Sequence, residues 1–405
     1  MAKGKESKPH IGIFGRRNNG KSSLINMLAG QEVAIVSDIA GTTTDPVKKS
    51  IEISGLGPVI MVDTAGIDDA GELGYKRISR SHQILGNLDL AILLVSGNQW
   101  NEFEDDLVKR FIENDVVFFV LHNKSDIEAA SPKFVQEISQ KFQTEVIDFS
   151  THNANTQQID ELVDIIRRLM PESALRIKSI VGDLISPADV VLLITPIDIA
   201  APEGRLILPQ VQVIRDILDH DGIAVVTKEH GVGEFIKRMN PKPALVITDS
   251  QIFKSAGAEV PEDIPFTSFS VLLARQKGDF ENYLKGTPHL AKLKEGDRVL
   301  ILESCTHHVS CEDIGRVKIP NWLNNFTGNK IEYEVVAGLS ALPRDIHDYA
   351  MVIQCGGCVI TRKQVINRLK PAIDAGIPVT NYGMAIAFIQ GIYDRAVAPF
   401  MKKHN

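Results

Sequence analysis

Long hydrophobic runs are missing from this sequence. Its largely apolar stretches, such as residues 88–95 and 190–194, have the length of a buried strand. They fall far short of the ~20 apolar residues that a membrane-spanning helix needs. The first nine residues are polar and lysine-bearing, without the apolar core of a secretory signal. We therefore expect a cytoplasmic protein that does not enter a membrane.

Cysteine is scarce as well. The 405 residues contain four cysteines, and none of them precedes position 305. Because the cytoplasm keeps thiols reduced, such cysteines act as ligands, catalysts or core residues and do not build a disulfide framework. Their restriction to the last part of the chain predicts a separate site there.

A surplus of basic residues is also absent, since the formal net charge is −7. This balance argues against a general nucleic-acid binder, which usually carries a basic surplus. Hydrophobic residues make up 44% and charged residues 23%, which is ordinary for a globular protein. A chain of 405 residues is too long for one ordinary core and predicts two or three domains.

Three segments can be separated, and together they predict an α/β protein of three domains. Residues 1–170 alternate short apolar strands with helical patterns, which indicates a mostly parallel sheet flanked by helices. Residues 175–265 repeat this alternation on a smaller, Rossmann-like scale without a phosphate loop or catalytic cluster, so we expect a dimerisation or spacer domain. Residues 270–405 hold every cysteine and predict an α/β cluster-binding domain. Strands are predicted at residues 10–14, 59–62, 88–95, 116–121, 146–149, 190–194, 223–226, 244–247, 298–303 and 350–353.

Residues 15–22, GRRNNGKS, have the spacing of the phosphate loop, G-x-x-x-x-G-K-S/T. A predicted strand precedes this loop and a helical stretch follows it. The glycines let backbone N–H groups turn toward the phosphates, and the helix N-terminus adds its positive end. We expect Lys21 to neutralise the β and γ oxygens and the Ser22 hydroxyl to coordinate Mg²⁺. The nucleotide-binding residues predicted here are Gly15, Asn18, Asn19, Gly20, Lys21, Ser22 and Ser23.

Three further motifs follow in order along the chain. Asp63-Thr64-Ala65-Gly66 comes after a strand and places Asp63 beside the Mg²⁺ shell and the Gly66 amide near the γ-phosphate. In Asn123-Lys124-Ser125-Asp126, the carboxylate can accept from the guanine N1 and N2 donors, which adenine lacks. Ser150-Thr151 stands where the last base-contacting loop belongs. Because all these motifs follow strand ends, they predict one crevice that binds GTP.

The run Gly41-Thr42-Thr43-Thr44-Asp45 predicts the first switch, with Thr43 sensing Mg²⁺ and the γ-phosphate. It resembles the TrmE and Era group of GTPases, which carry a comparable run. Asn18 stands where potassium-dependent members of that group place a cation-binding asparagine, while Ile67 replaces the water-orienting glutamine of many GTPases. We expect slow intrinsic hydrolysis that K⁺ activates. The predicted catalytic residues are Lys21, Thr43, Asp63 and Gly66.

The cysteines predict a metal centre. Cys355 and Cys358 enclose two glycines between a predicted strand and helix, and Cys305 ends another strand, with His307 just behind it. Three thiolates suit a [4Fe–4S] cluster whose fourth iron takes a weaker or exchangeable ligand. A Cys₃His zinc site, a thioredoxin-like redox pair and unrelated buried cysteines stay open. Cys311 is either a further ligand or a small core residue.

The order of the three segments, together with Cys305-Thr306-His307 and then Gln354-Cys355-Gly356-Gly357-Cys358, resembles the HydF family of [FeFe]-hydrogenase maturation GTPases. The resemblance covers essentially the whole chain. It departs from the family signature at Gln354, which replaces a histidine before the cysteine pair. The resemblance implies Cys305, Cys355 and Cys358 as cluster ligands. The candidates for the fourth are Glu312, His307, His308 and Cys311, of which we favour Glu312 and His307.

This resemblance implies a GTP-hydrolysing scaffold that binds a [4Fe–4S] cluster and a transient diiron precursor. The scaffold would receive the precursor with the help of radical-SAM maturases and deliver it to apo-[FeFe]-hydrogenase, with GTP hydrolysis as a switch. We expect a homodimer. The alternative function is that of a TrmE- or Era-type GTPase in tRNA modification or ribosome assembly, with a zinc or redox cysteine site. Its support is the GTPase segment and basic pairs such as Arg16-Arg17.

Overall fold

The computed structural model describes residues 8–30, 47–63, 85–175, 178–196, 206–304, 313–338, 340–357 and 360–401. The chain divides into two compact units, Met1–Ile177 and Lys178–Asn405. No helix within these described ranges is both long enough and apolar enough to cross a membrane.

The first unit is built on a sheet of six described strands in the order β2-β3-β1-β4-β5-β6. All neighbours are parallel except β2 and β3, which are antiparallel. The sequence predicted five of these strands and missed β2, an edge strand that pairs with β3. The predicted α/β class with a mostly parallel sheet is confirmed. The strands are β1 (His10–Gly15), β2 (Val47–Ile53), β3 (Gly57–Asp63), β4 (Leu90–Val95), β5 (Val117–His122) and β6 (Val146–Asp148).

Helices cover both faces of this sheet, so β1 and β4 are buried along their whole length. Asparagine side chains begin two of the helices: Asn101 and Asn155 each form a capping box with the residue three positions on. Ser131, followed by Pro132, caps a third. The helices are α1 (Lys21–Ala29), α2 (Glu102–Glu113), α3 (Pro132–Phe142), α4 (Thr156–Leu169) and α5 (Glu172–Leu175).

The second unit contains two parallel sheets. The first has the order β10-β9-β7-β8, with β7 (Val190–Ile194), β8 (Ile223–Thr227), β9 (Leu245–Thr248) and β10 (Phe266–Ser268). The three-residue β10 was missed by the sequence prediction. Its helices are α6 (Leu208–Asp219), α7 (Val232–Arg238), α8 (Phe253–Glu259) and α9 (Phe269–Lys277).

The other sheet of this unit has the order β12-β11-β13-β14. Leu302 at the end of β11 is in register with Gln354 at the end of β13, so the two predicted cysteine loops leave the sheet side by side. The strands are β11 (Arg298–Leu302), β12 (Glu332–Val336), β13 (Met351–Gln354) and β14 (Val379–Asn381). The helices are α10 (Phe280–Gly286), α11 (Ile319–Thr327), α12 (Arg362–Asp374), α13 (Tyr382–Ile389) and α14 (Tyr393–Met401).

Helix α9 joins the two sheets of the second unit. Its Phe269 and Leu272 pack in the core of the β7–β10 sheet, while Val271 and Ala274 pack in the core of the β11–β14 sheet. A helix whose apolar residues point into two cores is typical of a position between two layers. The two segments therefore form one compact unit.

Candidate functional site

The phosphate loop connects β1 to α1, and two of its glycines stand where a side chain would collide. Gly15 has φ +135°, and a Cβ there would meet the carbonyl oxygen of Leu94. Gly20, the N-cap of α1, has φ +92°, and a Cβ there would meet the Asn123 amide. Both conformations favour glycine. The loop therefore keeps its backbone close to its neighbours, as a phosphate cradle requires.

Lys21 begins α1 and is buried, with 7% of its surface exposed. Its ammonium donates to the carbonyl oxygens of Gly15 and Arg16, the latter at 3.0 Å. The positive charge is thus held over the loop at the N-terminus of a helix, where the helix dipole also favours an anion. This arrangement fits a nucleotide phosphate.

Two asparagines connect the phosphate loop to the other predicted motifs. Asn19 donates to the carbonyl of Leu94 at 3.0 Å and accepts from the Ser96 hydroxyl at 3.0 Å. Asn123, fully buried, donates to the carbonyl of Asn19 at 2.8 Å. Its own carbonyl oxygen accepts from the Thr151 amide at 3.0 Å. The first, third and fourth motifs therefore lie together at the carboxyl edge of the sheet.

Asp126 lies on the exposed side of this edge. The Ser150 hydroxyl donates to its Oδ1, and the Ser125 amide donates to the carbonyl of Phe149 at 3.0 Å. One carboxylate oxygen is thus held in place by the neighbouring loop. Lys124, in the same motif, adopts a left-handed conformation with φ 66°.

The remaining predicted residues of the nucleotide site are exposed, end a strand, or lie outside the described part of the chain. Asn18 is exposed with φ 67°, and Ser22 and Ser23 are exposed at the start of α1. Asp63 ends β3, where it is in register with Ile13. Thr43, Gly66 and Ile67 lie outside the described residues.

His122 was not predicted, and it packs next to the loop that is predicted to read the guanine base. This residue is fully buried at the end of β5, immediately before Asn123. The Asn98 amide donates to its Nε2 at 3.2 Å, so the ring proton stays on Nδ1, which lies 2.8 Å from an Asp148 oxygen. The Asn98 side chain in turn accepts from Ser131 and donates to Glu128. A polar residue at the end of an apolar strand is the signal that marks it.

A second unpredicted contact ties the phosphate loop to α2. Glu104 is 1% exposed, and its two carboxylate oxygens accept from the Arg16 guanidinium at 2.7 and 3.0 Å. The Asn101 amide donates to the same carboxylate at 3.1 Å. Of the basic pair Arg16-Arg17, the first residue therefore serves an internal ion pair and the second is exposed. The spacing N-x-x-E of a capping box is the sequence signal for Glu104.

We predict that Arg16→Ala destabilises the first unit by about 2–3 kcal/mol, because it leaves the Glu104 carboxylate buried without its cation. Urea unfolding can be followed by the fluorescence of Trp100, in a Trp322→Phe background that removes the second tryptophan. Arg17→Ala removes the exposed arginine at the adjacent position and serves as the control. Equal midpoints for the two variants would contradict a stabilising role of the ion pair.

In the second unit, Cys355 directly follows β13, and its sulfur lies against the residue that precedes Cys305. The Ser304 amide donates to the Cys355 sulfur at 3.0 Å, and the Ser304 hydroxyl lies 2.8 Å from it. Hydrogen-bond donors around a sulfur are typical surroundings of metal–thiolate centres. The other predicted residues of this site, Cys305, His307, Cys311, Glu312 and Cys358, fall in stretches that the structure leaves undescribed.

Gln354 is fully buried beside this sulfur. Its amide nitrogen donates to the Ser304 hydroxyl at 3.2 Å and to the carbonyl of Cys355 at 3.1 Å. Its Oε1 is buried without a hydrogen-bond partner among the residues described. The glutamine therefore joins the two cysteine loops, and its Oε1 is a buried acceptor that the described residues leave without a hydrogen bond.

Three family models match the chain. Residues 10–124 match a 50S ribosome-binding GTPase, residues 180–278 a hydrogen maturase F dimerization domain, and residues 281–399 a hydrogen maturase F tetramerization domain. The two hydrogen maturase F models together span more than half of the chain. The chain belongs to the hydrogen maturase F family. The predicted resemblance is thereby confirmed, and the first segment is a GTPase domain, also as predicted.

Curated relatives of this hydrogen maturase F family member match it in the GTPase domain. The tRNA modification GTPase MnmE of Nitrosomonas europaea is 40% identical over 128 residues, which are 31% of this chain and 28% of MnmE. MnmE of Coxiella burnetii is 39% identical over 125 residues, 30% of this chain and 27% of MnmE. The chain thus spans less than a third of the length of these relatives.

Among solved structures, Aquifex aeolicus Era bound to GDP·AlF4− is 22% identical and covers 54% of this chain and 91% of Era. Its TM-score of 0.34 is too low to bear on the fold.

Proposed function

We propose that the chain is a GTP-hydrolysing scaffold of hydrogenase maturation that binds a [4Fe–4S] cluster. One combination carries the proposal: a GTPase domain shares the chain with two hydrogen maturase F domains, and in the latter Ser304 and Cys355 bring the two cysteine loops into contact. The family assignment supplies the process, and the cysteine loops supply the chemistry.

In the GTPase domain, Lys21 contacts the β and γ phosphates, and Ser22 with Thr43 holds Mg²⁺. Asp63 supports the metal shell, and the Gly66 amide contacts the γ-phosphate. The base is read by Asn123, Lys124, Asp126, Ser150 and Thr151. The buried ammonium of Lys21 and the hydrogen bonds of Asn123 to Asn19 and Thr151 support these roles.

Potassium is the proposed activator of hydrolysis. We predict that GTP turnover in K⁺ exceeds that in Na⁺ by about tenfold or more, because a bound cation adds positive charge where the transition state gathers negative charge. Asn18→Ala is expected to abolish the difference between the turnover rates in the two salts. Phosphate release at constant ionic strength measures both rates, and Arg17→Ala, at the adjacent exposed residue, is the control. Equal rates of the unaltered protein in the two salts would remove the proposal.

In the cluster domain, Cys305, Cys355 and Cys358 hold the cluster as thiolate ligands. The fourth position is held by Glu312 or His307 or is open to exchange. The cluster supplies an iron that can take an exchangeable ligand, and a diiron precursor docks there as cargo. Radical-SAM maturases and the apo-[FeFe]-hydrogenase are the proposed partners, and ordering of the switch segments by GTP controls the exchange.

A homodimer is the proposed assembly state, and its interface lies at β8. This strand forms the edge of its sheet within the described residues, and Ile223 and Val226 on it are exposed. Val211 and Leu218 on α6 are exposed too, because the helix buries Gln210, Val213 and Ile217. An exposed strand edge beside apolar side chains favours pairing with a second copy.

The proposed scaffold function is tested by transfer of the diiron precursor to apo-hydrogenase. The protein is reconstituted anaerobically with iron and sulfide, loaded with a diiron precursor and mixed with apo-[FeFe]-hydrogenase. Hydrogen evolution that depends on the loaded protein is the expected result. Stoichiometric zinc in place of a cubane cluster, or no activation, would remove the scaffold function.

A further inference from the structure

A buried lysine holds the loop between Cys355 and α12. Lys277, the last residue of α9, is 8% exposed. Its ammonium donates to the carbonyl oxygens of Gly357 at 2.7 Å and Ile360 at 3.0 Å. Gly357 has φ +66°, a conformation that favours glycine, and a Cβ there would press on the Val365 side chain at 2.8 Å. Two carbonyl oxygens, one before and one after residues 358–359 in the sequence, thus contact the same cation.

A cation at the end of the same loop contacts α9 in turn. The Arg362 guanidinium donates to the carbonyl oxygens of Gln276 at 3.1 Å and Gly278 at 2.9 Å. These carbonyls lie at the C-terminus of α9, where the helix dipole favours positive charge. The end of α9 and residues 357–362 are therefore connected in both directions.

The other cysteine loop is held in a comparable way. Arg368 on α12 donates to the carbonyl oxygen of Glu303 at 2.7 Å and to that of Val336 at 3.0 Å. Glu303 lies two residues before Cys305. Burial lowers the pKa of Arg368, and the charge of Cys355 acts against that shift. A positive side chain therefore anchors each of the two loops through backbone carbonyls.

We propose that Lys277 and Arg368 are positioning residues of the metal centre, which fix the two cysteine loops and offset the negative charge of metal-bound thiolates. Each thiolate ligand brings a negative charge, and opposite charges interact more strongly in a buried site than in water. Groups beyond the ligands that fix ligand geometry tune metal affinity. This inference rests on the proposed function in that Cys355 is a metal ligand.

Lys277 and Cys355 belong to different domains of the chain. Lys277 falls within the segment that matches the dimerization domain, whereas Cys355 falls within the tetramerization domain. The two domains share α9 as a common core element. The cluster domain alone would lack one of the two cations, so the metal centre is complete only when both domains are present in one chain.

The test compares Lys277→Met, Lys277→Arg and Lys285→Met in the full chain, loaded with iron and sulfide. Lys285 is an exposed lysine on α10 and controls for the loss of a charge elsewhere. We expect Lys277→Met to release its metal to a chelator about tenfold faster than the unaltered protein. Its reduction potential should become more negative, because a nearby positive charge stabilises the reduced cluster. Lys277→Arg should keep the original potential, and Lys285→Met should match the unaltered protein in both measurements.

Unchanged release and potential in Lys277→Met would overturn the proposal. If Lys277→Met releases its metal faster but keeps the original reduction potential, the role of the Lys277 charge is also overturned, since loss of packing alone would give that result. If the unaltered protein takes up zinc and no cluster, the proposed function fails, and zinc release from Lys277→Met against Lys277→Arg decides the present inference. If the unaltered protein retains neither metal, both fail. Metal-free thermal unfolding identifies a variant that does not fold, and in that case Arg368→Met takes its place.

Discussion

Replacing Asp126 by asparagine is expected to weaken GTP binding by about 10²–10³-fold, since each charge-assisted hydrogen bond contributes about 1.5–3 kcal/mol. In the proposed base-reading role, the carboxylate of Asp126 accepts from the N1 and N2 donors of guanine. An asparagine offers one carbonyl oxygen in place of two carboxylate oxygens and points an N–H at a guanine N–H. Xanthine nucleotides carry an oxygen at C2, to which that N–H can donate, so their affinity should rise.

Titration of a fluorescent guanine nucleotide and its xanthine counterpart measures both affinities. Asp160→Asn, an exposed aspartate on α4, is the matched control and should leave both unchanged. Ser150→Ala tests the support of Asp126: because the Ser150 hydroxyl holds Oδ1, its loss should weaken GTP binding less than the loss of Asp126 itself. Equal GTP affinities for Asp126→Asn and Asp160→Asn would refute the base-reading role.

The nucleotide loops could be predicted from sequence because each depends on a short local pattern. Gly15, Gly20 and Lys21 fall within eight consecutive residues, and the strand before them is apolar from Ile11 to Phe14. Parallel strands place their carboxyl ends at one edge, so motifs that follow strands come together without further information. The α/β class of the whole chain followed from the same alternation of strands and helices.

Glu104 and His122 could not be predicted in the same way, since each acts through a partner far away in sequence. In the sequence Glu104 resembles any glutamate in the first turn of a helix, and only the structure shows its ion pair with Arg16. His122 resembles a strand residue until Asn98 and Asp148 are placed beside it. Edge strands such as β2 and β10 were missed because their patterns are weak without their neighbours.

In the cysteine region, too, the residues with a local sequence pattern could be predicted and those with distant partners could not. Its spacing pointed to Cys305 and Cys355, and the register of Leu302 with Gln354 places the two strand ends side by side. Lys277 lies 80 positions before Gly357 and carries no local signal, because it ends a helix among other polar residues. Gln354, known from the sequence as a departure from the family signature, gained a role only when its contacts with Ser304 and Cys355 were seen.

Replacing Cys355 by serine is expected to reduce bound iron from about four ions per chain to nearly none. In the proposed metal site Cys355 supplies one of three thiolates, and a serine hydroxyl is a much weaker ligand for iron. The Ser304 amide would then donate to a hydroxyl in place of the sulfur, and that hydroxyl could donate to the Ser304 hydroxyl as the thiol does, so the fold is expected to survive. Iron and sulfide analysis after anaerobic reconstitution, with EPR of the reduced protein, measures the loss.

Cys311→Ser is the matched control, because Cys311 stands near Cys305 in sequence and is left outside the ligand set. It should retain iron, sulfide and the EPR signal if Cys311 is a core residue, and loss of the signal would make it a ligand. GTP turnover separates the two halves of the chain: Cys355→Ser should keep the basal rate, because the cysteine lies in the second unit and the phosphate loop in the first. Retention of a full cluster in Cys355→Ser would mean that the ligands lie elsewhere, and the hydrogen bonds that join Ser304, Gln354 and Cys355 would then be structural only.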